Sequence, residues 1–254
     1  MRGLKLASNL PWNDIPEIVD ITDQLPKKAS WESLKKKWTV KGVWDQKTYL
    51  TGLRKPEDIS CIVIHHSGPP NGTLESHALY HANKWGAGIA YHIAIDKGRI
   101  LQLNDLLSMT YHSGNNNTYT VGIVINRDLS NSDLTDLERK LLYAAILSVK
   151  AVLPIKEIKG HRELPTAATA CPVTSENRIR EDVFTLEQQI EQADSSAKKA
   201  EIAYRMANEF MWLYNMYYKG VDSKGKPATD DQREWALNRV LKLEPEMRRL
   251  GFLQ

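Results

Sequence analysis

The sequence lacks a long apolar segment, a secretory leader and internal repeats, and each absence excludes a class of protein. No apolar run approaches the ~20 residues of a transmembrane helix, so we expect no stable membrane insertion. The opening segment MRGLKLASNLPWNDIPE has no apolar signal-peptide core, which predicts synthesis in the cytoplasm without a signal peptide. A hydrophobic content of 42% instead predicts a globular protein with a substantial core.

Cysteine is scarce, with only Cys61 and Cys171 in 254 residues. Two cysteines are too few for a disulfide-rich scaffold, and a reducing compartment favours free thiols or a metal site over a single disulfide. Cys61 lies in an apolar run and is interpreted as a buried strand residue. Cys171 shares the segment GHRELPTAATACP with His161, and both of these residue types can bind a metal.

A strong excess of one charge is also absent, since 34 basic and 31 acidic side chains leave a net charge of +3. The basic excess lies toward the two ends of the chain rather than in its middle. So small an excess is typical of a solvated surface, and we predict no nucleic-acid partner.

Short apolar runs alternate with amphipathic segments between Ile59 and about Glu181. Strands are predicted in SCIVIHHS, IAYHIAID, RILQL, TVGIVIN and Glu157–Lys159, with Lys97-Gly98 as the turn of an antiparallel hairpin. Helices are predicted from Thr73 to Lys84 and, after the capping box Thr135-x-x-Glu138, to about Leu153. This pattern predicts an α/β fold with a mixed central β-sheet flanked by helices.

The last part of the chain shows only helical periodicity. Apolar residues recur at spacings of three and four in two segments on either side of the loop VDSKGKP, and Pro245 is expected to interrupt the second helix. We therefore predict an appended helical hairpin, with wall binding, dimerisation and plain packing as its alternative roles. The predicted regions are an N-terminal arm over 1–58, an α/β domain over 59–188 and a helical module over 189–254.

The N-terminal arm carries Trp31, Trp38 and Trp44 among lysines. Aromatic residues interleaved with lysines can bind sugars or nucleic acid. The favoured interpretation is that the tryptophans pack the arm onto the domain while the lysines stay in water.

All seven histidines lie between His65 and His161, which places the candidate chemistry in the middle of the chain. His77 and His81 would share one helix face, but Ala78 stands where a metalloprotease helix carries glutamate, so packing or surface roles are favoured.

A strand-end histidine, His65 or His66, together with His161 and Cys171, would form a three-ligand site that suits zinc and leaves one position for water. The alternative from the residues alone is a packed cysteine with surface histidines.

Tyr91 and His92 form another candidate group together with His112. As neighbours in a predicted strand, Tyr91 and His92 are expected to face opposite sides, so only one of them can face the pocket of His65.

Five motifs in order carry a resemblance to a known family. VDITDQLPK, IVIHHSG, LYHANKWGAGIAYHIAIDKGRILQ, HSGNNNTYTVGIVIN and GHRELP…TACP resemble the zinc-dependent N-acetylmuramoyl-L-alanine amidases of the type 2 class. That class includes phage amidase-type endolysins and is related to the peptidoglycan recognition proteins. The resemblance covers roughly residues 18 to 180.

The resemblance implies a role for each matching residue. It implies one Zn²⁺ ion bound by His65, His161 and Cys171, with His66 and His92 facing away as core neighbours. Tyr91 and Thr169 match residues that stabilise the oxyanion, although nine residues between His161 and Cys171 predict a bulged loop around Thr169. His112 and Trp85 match residues of the substrate cleft wall, with a packing role as the alternative. Glu163 and the zinc-bound water are the two candidate proton carriers.

The implied reaction is hydrolysis of the amide bond between N-acetylmuramic acid and L-alanine, which makes bacterial peptidoglycan the expected partner. A phage endolysin that reaches the wall after release is the first interpretation. A cytoplasmic amidase that recycles wall fragments and a non-catalytic peptidoglycan-recognition protein are the alternatives. Oligomeric state and host range are not predicted.

Overall fold

The structure, a computed structural model, describes residues 1–26, 54–69, 71–85, 88–222 and 224–249. The chain divides into two compact units, residues 1–186 and 187–254. The segment of the arm that contains Trp31, Trp38 and Trp44 lies outside the described residues, so its predicted packing stays a prediction.

The first unit is built on a six-stranded sheet. Its strands are β1 (Val19–Asp20), β2 (Cys61–His66), β3 (Ile93–Asp96), β4 (Arg99–Gln102), β5 (Thr120–Ile125) and β6 (Glu157–Gly160). Their order across the sheet is β1-β4-β3-β5-β2-β6, and only the β3–β4 pair is antiparallel. The predicted hairpin and the mixed central sheet are confirmed.

Two helices of this unit begin where the sequence provides caps. Helix α1 (Leu74–Trp85) follows Thr73, whose hydroxyl accepts a hydrogen bond from the backbone N–H of Ser76 at 3.1 Å. Helix α2 (Asp136–Lys150) has the predicted capping box, because Thr135 and Glu138 each accept a hydrogen bond from the other's backbone N–H.

The central strands β2, β3 and β5 are buried on both faces, as expected for a sheet covered by helices on each side. Ala78 of α1 packs in one cluster with Ala94 of β3 and Val124 of β5. Ile123 and Ile125 alternate with Val124 along β5 and are also buried. Helix α2 contacts β3 and β4.

The described part of the N-terminal arm adds to the sheet. Strand β1 pairs in parallel with β4 and forms one edge of the sheet. The side chain of Gln102 both accepts from the backbone N–H of Leu4 and donates to the carbonyl of Met1, each at 2.8 Å. The arm therefore supplies an edge strand, which the sequence pattern did not predict.

Helix α3 (Glu176–Tyr218) contains the boundary between the two units, and helix α4 (Asp230–Arg249) lies wholly in the second. The helix is continuous from Glu176 to Tyr218, so the division falls inside a helix rather than in a loop. Within the second unit α3 and α4 form the predicted hairpin, with a buried core of methionine, leucine and alanine side chains. No helix among the described residues combines the length and apolarity needed to cross a membrane.

Pro245 does not interrupt α4, which continues to Arg249. A proline inside a helix removes one backbone hydrogen bond. Here the buried side chains of Leu243 and Met247, on either side of it, keep the last turn packed on the core of the second unit.

Candidate metal centre

Three predicted ligands converge at one edge of the sheet. His65 lies near the end of β2, His161 follows β6 directly, and Cys171 ends the loop beyond it. Because β2 and β6 are parallel neighbours, their carboxyl ends meet at the same edge. One potential ligand atom from each of the three side chains lies within 4.8 Å of the other two, the only such cluster among the described residues.

The loop that carries Cys171 is closed at its base. The backbone N–H of Arg162 donates to the carbonyl of Cys171 at 2.8 Å, so the eight residues between them form a loop whose two ends are hydrogen-bonded to each other. The side chain of Arg162 reaches Glu176 and the carbonyl of Thr174. The backbone N–H of His66 donates to Cys171 Sγ at 3.4 Å, which holds the sulfur beside His65.

The electrostatics of the cluster suit a metal cation. Burial lowers the pKa of His65 and of His161, and the charges of neighbouring histidines lower that of His65 further, so both imidazoles are neutral at pH 7 and carry a lone pair. Burial raises the pKa of Cys171 to about 11, although the His66 N–H opposes this. Without a cation the residue is therefore a thiol.

Two imidazoles and one thiolate are the ligands of a zinc site with an open fourth position. Cys171 Sγ lies 3.8 Å from His65 Nδ1. Nitrogen and sulfur ligands at tetrahedral angles around one zinc ion would be about 3.6 Å apart. The residues present therefore fit zinc.

Tyr91 borders this cluster, with its ring centroid 5.1 Å from that of His65. Burial raises the pKa of Tyr91, and the nearby Cys171 raises it further, so the phenol keeps its proton at neutral pH and can donate it in a hydrogen bond. The expectation that Tyr91 and His92 face opposite sides does not apply, because β3 begins only at Ile93. Tyr91 adjoins His65 of the cluster, whereas the ring of His92 adjoins His112, which is not one of the three ligands.

Thr169 lies on the surface of the loop, where its hydroxyl accepts a hydrogen bond from the backbone N–H of Cys171 at 3.1 Å. The imidazole of His66 has its own partners away from Cys171: its Nδ1 accepts from the backbone N–H of Leu129, and the carboxylate of Asp128 lies nearby.

His112 is 5% exposed, and both of its ring nitrogens have partners within the protein, His65 at 3.0 Å and Thr120 at 3.1 Å. Of the two roles considered for His112, these contacts favour packing, because a substrate contact through a ring nitrogen would have to displace one of the two partners.

Trp85 lies at the end of α1 and stacks on His81, with ring centroids 4.7 Å apart. His81 in turn accepts a hydrogen bond from the backbone N–H of Ala90 and faces the edge of Tyr91. His77 and His81 lie on one helix face, 6.5 Å apart, and the packing role predicted for them agrees with these contacts.

Glu163 is held away from a proton-carrying role by an ion pair. Both carboxylate oxygens accept from Arg180, at 2.8 and 3.0 Å, and one also accepts from the backbone N–H of Gly160. Burial alone would raise the pKa of Glu163, but these hydrogen bonds outweigh it and lower the pKa. The carboxylate is therefore ionised at neutral pH, and each of its oxygens has a hydrogen-bond partner.

Arg54 is a buried residue that the sequence analysis missed. Its guanidinium donates to five backbone carbonyls and also reaches His92 Nε2 at 3.3 Å. The carbonyls belong to Leu106, Leu107, Ser108, Asn117 and Thr120. Arg54 therefore joins the two segments that flank His112. No periodicity or motif distinguishes this arginine from a surface one.

Comparison with known proteins matches residues 55–174 to the family model described as N-acetylmuramoyl-L-alanine amidase. No curated protein matches the sequence significantly. Two solved structures from Clostridium intestinale URNW share the fold. N-acetylmuramoyl-L-alanine amidase LysC has a TM-score of 0.51 at 20% identity, over 66% of this chain and 98% of its own. The endolysin amidase LysCS has a TM-score of 0.51 at 19% identity, over 68% and 99%.

Drosophila peptidoglycan recognition protein SA is also similar, with a TM-score of 0.44 at 18% identity over 51% of this chain and 81% of its own. The family match over residues 55–174 confirms the resemblance seen in the motifs to the type 2 N-acetylmuramoyl-L-alanine amidase and peptidoglycan recognition protein superfamily, and the two amidase structures share the fold.

Proposed function

We propose that the protein is a zinc-dependent enzyme that hydrolyses the amide bond between N-acetylmuramic acid and L-alanine in bacterial peptidoglycan. The observation that carries the proposal is the convergence of His65, His161 and Cys171 inside the segment that matches the amidase family. A recognition protein that only binds the wall has no chemical need for a buried thiol between two neutral imidazoles.

Zinc, when bound, supplies Lewis acidity, which brings the pKa of a water toward ~7 and polarises the scissile carbonyl. The chain's own residues position that reaction. His65 and His161 contribute lone pairs at neutral pH because their pKa values are lowered by burial. The His66 backbone N–H supports the negative charge that Cys171 develops as a ligand.

Tyr91 and Thr169 are the proposed stabilisers of the substrate oxyanion. Tyr91 keeps its phenolic proton at neutral pH and borders His65, so it can donate to a carbonyl oxygen that becomes anionic. Thr169 accepts from Cys171 and keeps its own hydroxyl proton for donation at the exposed rim of the site.

The leaving amine must receive a proton. Because Arg180 and Gly160 occupy the Glu163 carboxylate, Glu163 is not the carrier that we propose. The water consumed in the reaction is then the proposed proton source.

The proposed biological role is that of a phage endolysin, which acts on the wall after release from the cytoplasm where it is made. The fold shared with LysCS, whose name describes an endolysin, supports this role. The proposed wall-binding module is residues 189–254, which lie in the second unit. Two large aromatic side chains of this module are exposed and could contact the wall: Tyr204 is 70% exposed and Trp235 is 51% exposed.

The test uses purified sacculi, with products identified by mass spectrometry and zinc content measured in the same samples. Cys171→Ser is expected to lose zinc and, because a metal Lewis acid contributes several kcal/mol, to lose ~10³-fold or more in hydrolysis while still pelleting with sacculi. Cys61→Ala is the matched control: it removes the other buried cysteine, which lies outside the cluster, and should keep zinc and activity.

The other outcomes separate the rivals. Hydrolysis by Cys171→Ser at the wild-type rate would refute the zinc mechanism, and wild-type protein that binds sacculi without cleaving them would be a recognition protein. Cleavage of soluble wall fragments but not of sacculi would indicate a recycling amidase. In the Cys171→Ser background, Trp235→Ala should reduce pelleting if the second unit binds the wall; unchanged pelleting would contradict that role.

A further inference from the structure

The two ring nitrogens of His65 have different neighbours. Nδ1 lies 3.8 Å from Cys171 Sγ, inside the candidate metal cluster. Nε2 lies 3.0 Å from Nδ1 of His112, on the opposite edge of the ring. A neutral imidazole has one protonated nitrogen and one lone pair, so His65 can bind a metal through Nδ1 only when its proton is on Nε2.

A chain of hydrogen bonds determines where that proton lies. The Thr120 hydroxyl has one proton and donates it to the carbonyl of Asn116 at 2.8 Å. It is therefore an acceptor toward Nε2 of His112, 3.1 Å away, and that nitrogen must be protonated. His112 then has its lone pair on Nδ1 and accepts the Nε2 proton of His65. The lone pair of His65 is left on Nδ1.

The neighbours of Thr120 agree with this direction. Ser113 Oγ lies 3.1 Å from the Thr120 hydroxyl, but it donates its own proton to Asn117 Oδ1 at 2.9 Å. Whether Thr120 gives its proton to Asn116 or to Ser113, it remains an acceptor toward His112. The chain ends in carbonyl groups, which only accept.

The fold brings the two rings together by leaving out a side chain. Gly122 of β5 lies under the ring of His112, and a Cβ atom at this position would be 2.7 Å from His112 Nδ1. Only glycine permits so close an approach of the ring to the sheet. His65 and His112 are 1% and 5% exposed, so water has no access to replace either partner.

His92 closes the other side of His112, with ring centroids 5.6 Å apart. Its tautomer is fixed by backbone groups, since it donates to the Ser108 carbonyl at 2.8 Å and accepts from the Gly122 N–H at 3.0 Å. With Nε2 of His112 donating to Thr120, its Nδ1 faces Nε2 of His65 at 3.0 Å, where one proton between the two nitrogens satisfies both.

We propose that His112 and Thr120 are positioning residues that hold His65 in the Nε2–H tautomer, so that its Nδ1 presents a lone pair to zinc. The proposal rests on the zinc site proposed above. It assigns His112 a role behind the metal ligand rather than in the substrate cleft. Partners of this kind typically contribute 10–100-fold to metal affinity.

The first experiment reads the tautomer without zinc. Full-length protein labelled with ¹⁵N-histidine and stripped of metal is measured by NMR. Each imidazole signal is assigned by its disappearance in a variant in which that one histidine is replaced. His65 and His112 should both be Nε2–H in the wild type, and Thr120→Val should give His65 a mixture of tautomers. A wild-type His65 protonated on Nδ1 would overturn the proposal.

The second experiment measures zinc affinity by competition with a chromophoric chelator. Thr120→Val, which keeps the shape but removes the acceptor, and His112→Phe should each weaken zinc binding ~10–100-fold. Thr120→Ser keeps the hydroxyl, and His112→Asn keeps an acceptor near the position of Nδ1, so both should restore most of the affinity. Circular dichroism confirms that each variant is folded.

His81→Asn is the matched control. It also replaces a buried histidine that accepts a backbone hydrogen bond, but one outside the chain of hydrogen bonds to His65, and it should bind zinc as the wild type does. Wild-type affinity in Thr120→Val and His112→Phe would overturn the proposal while leaving the amidase function intact. Failure of the wild type itself to bind zinc would refute the proposed function, and the tautomer measurement would still decide the inference about His65.

Discussion

The two compact units of the chain bury different kinds of residue. The first, residues 1–186, contains all seven histidines and both cysteines. It buries His65, His112 and Thr120 in a chain of hydrogen bonds, and the buried Arg54 donates to the Thr120 carbonyl. The second, residues 187–254, has a core of methionine, leucine and alanine. Its large aromatic side chains Tyr204 and Trp235 are exposed.

The two cores constrain their side chains to different degrees: hydrogen bonds fix the positions of individual atoms in the first unit, whereas the second unit requires only that apolar side chains fill the available volume. A buried polar group costs free energy unless each donor and acceptor is satisfied, so a hydrogen-bonded chain such as His65–His112–Thr120 constrains the position of every member. An apolar helical hairpin requires only that volumes match. Chemistry is therefore expected in the first unit and binding or packing in the second.

Removal of the Tyr91 hydroxyl should produce the largest effect in the first unit beyond loss of the metal. Tyr91→Phe is expected to lower kcat by ~10²–10³-fold, because a hydrogen-bond donor to the oxyanion is lost, with zinc content and Tm unchanged. The measurement is steady-state hydrolysis of a soluble muramoyl peptide. Tyr80→Phe, at an exposed position of α1, is the control and should have wild-type kcat. Equal rates for the two variants would remove Tyr91 from the reaction.

A change in the core of the second unit should lower stability and leave kcat unchanged. Leu213 is fully buried against α4, so Leu213→Ala should destabilise this unit by about 2–5 kcal/mol, while hydrolysis of the soluble substrate by the first unit stays unchanged. Hydrogen exchange followed by segment gives the stability of each unit. The exposed Leu241→Ala should change it by less than about 0.5 kcal/mol. A loss of kcat in Leu213→Ala would show that the two units are not separable in function.

The smallest effect expected is the acid sensitivity of the first unit. Burial alone would raise the pKa of Asp20, but Arg2 and Thr22 lower it to about 2. An Asp in the unfolded chain titrates near ~3.9, so the unfolded state binds more protons between these values and stability falls as the pH drops from about 4 toward 2. Urea unfolding of wild type and Asp20→Asn at pH 7 and pH 3 measures this. The variant should be less stable at pH 7 and show a smaller loss at pH 3; an identical loss would contradict the contribution of Asp20.

Much of the fold followed from local patterns. The alternation around Lys97-Gly98 predicted the β3–β4 hairpin, and Thr135-x-x-Glu138 predicted the start of α2, because turn geometry and helix capping depend on residues close in sequence. The local pattern failed at Pro245, where the helix continues. The packing of the buried Leu243 and Met247 on either side of the proline outweighed the local signal.

The candidate site was predicted as a set of named residues, with alternatives for two of them. Glu163 was one of two candidate proton carriers, and His112 was a candidate for the cleft wall or for packing. The structure adds their partners, which are Arg180 for Glu163 and both His65 and Thr120 for His112. No spacing rule connects such partners.

By itself the sequence determined that a buried strand carries His65 near its end, that His161 and Cys171 share one loop, and that a helical hairpin follows the α/β domain. These features arise from periodicity and from residue chemistry, which are local properties. Only the tertiary structure decided which nitrogen of His65 faces Cys171. That choice depends on Gly122 admitting the ring of His112 and on Thr120 accepting its proton, and these contacts exist only when the strands are assembled into the sheet.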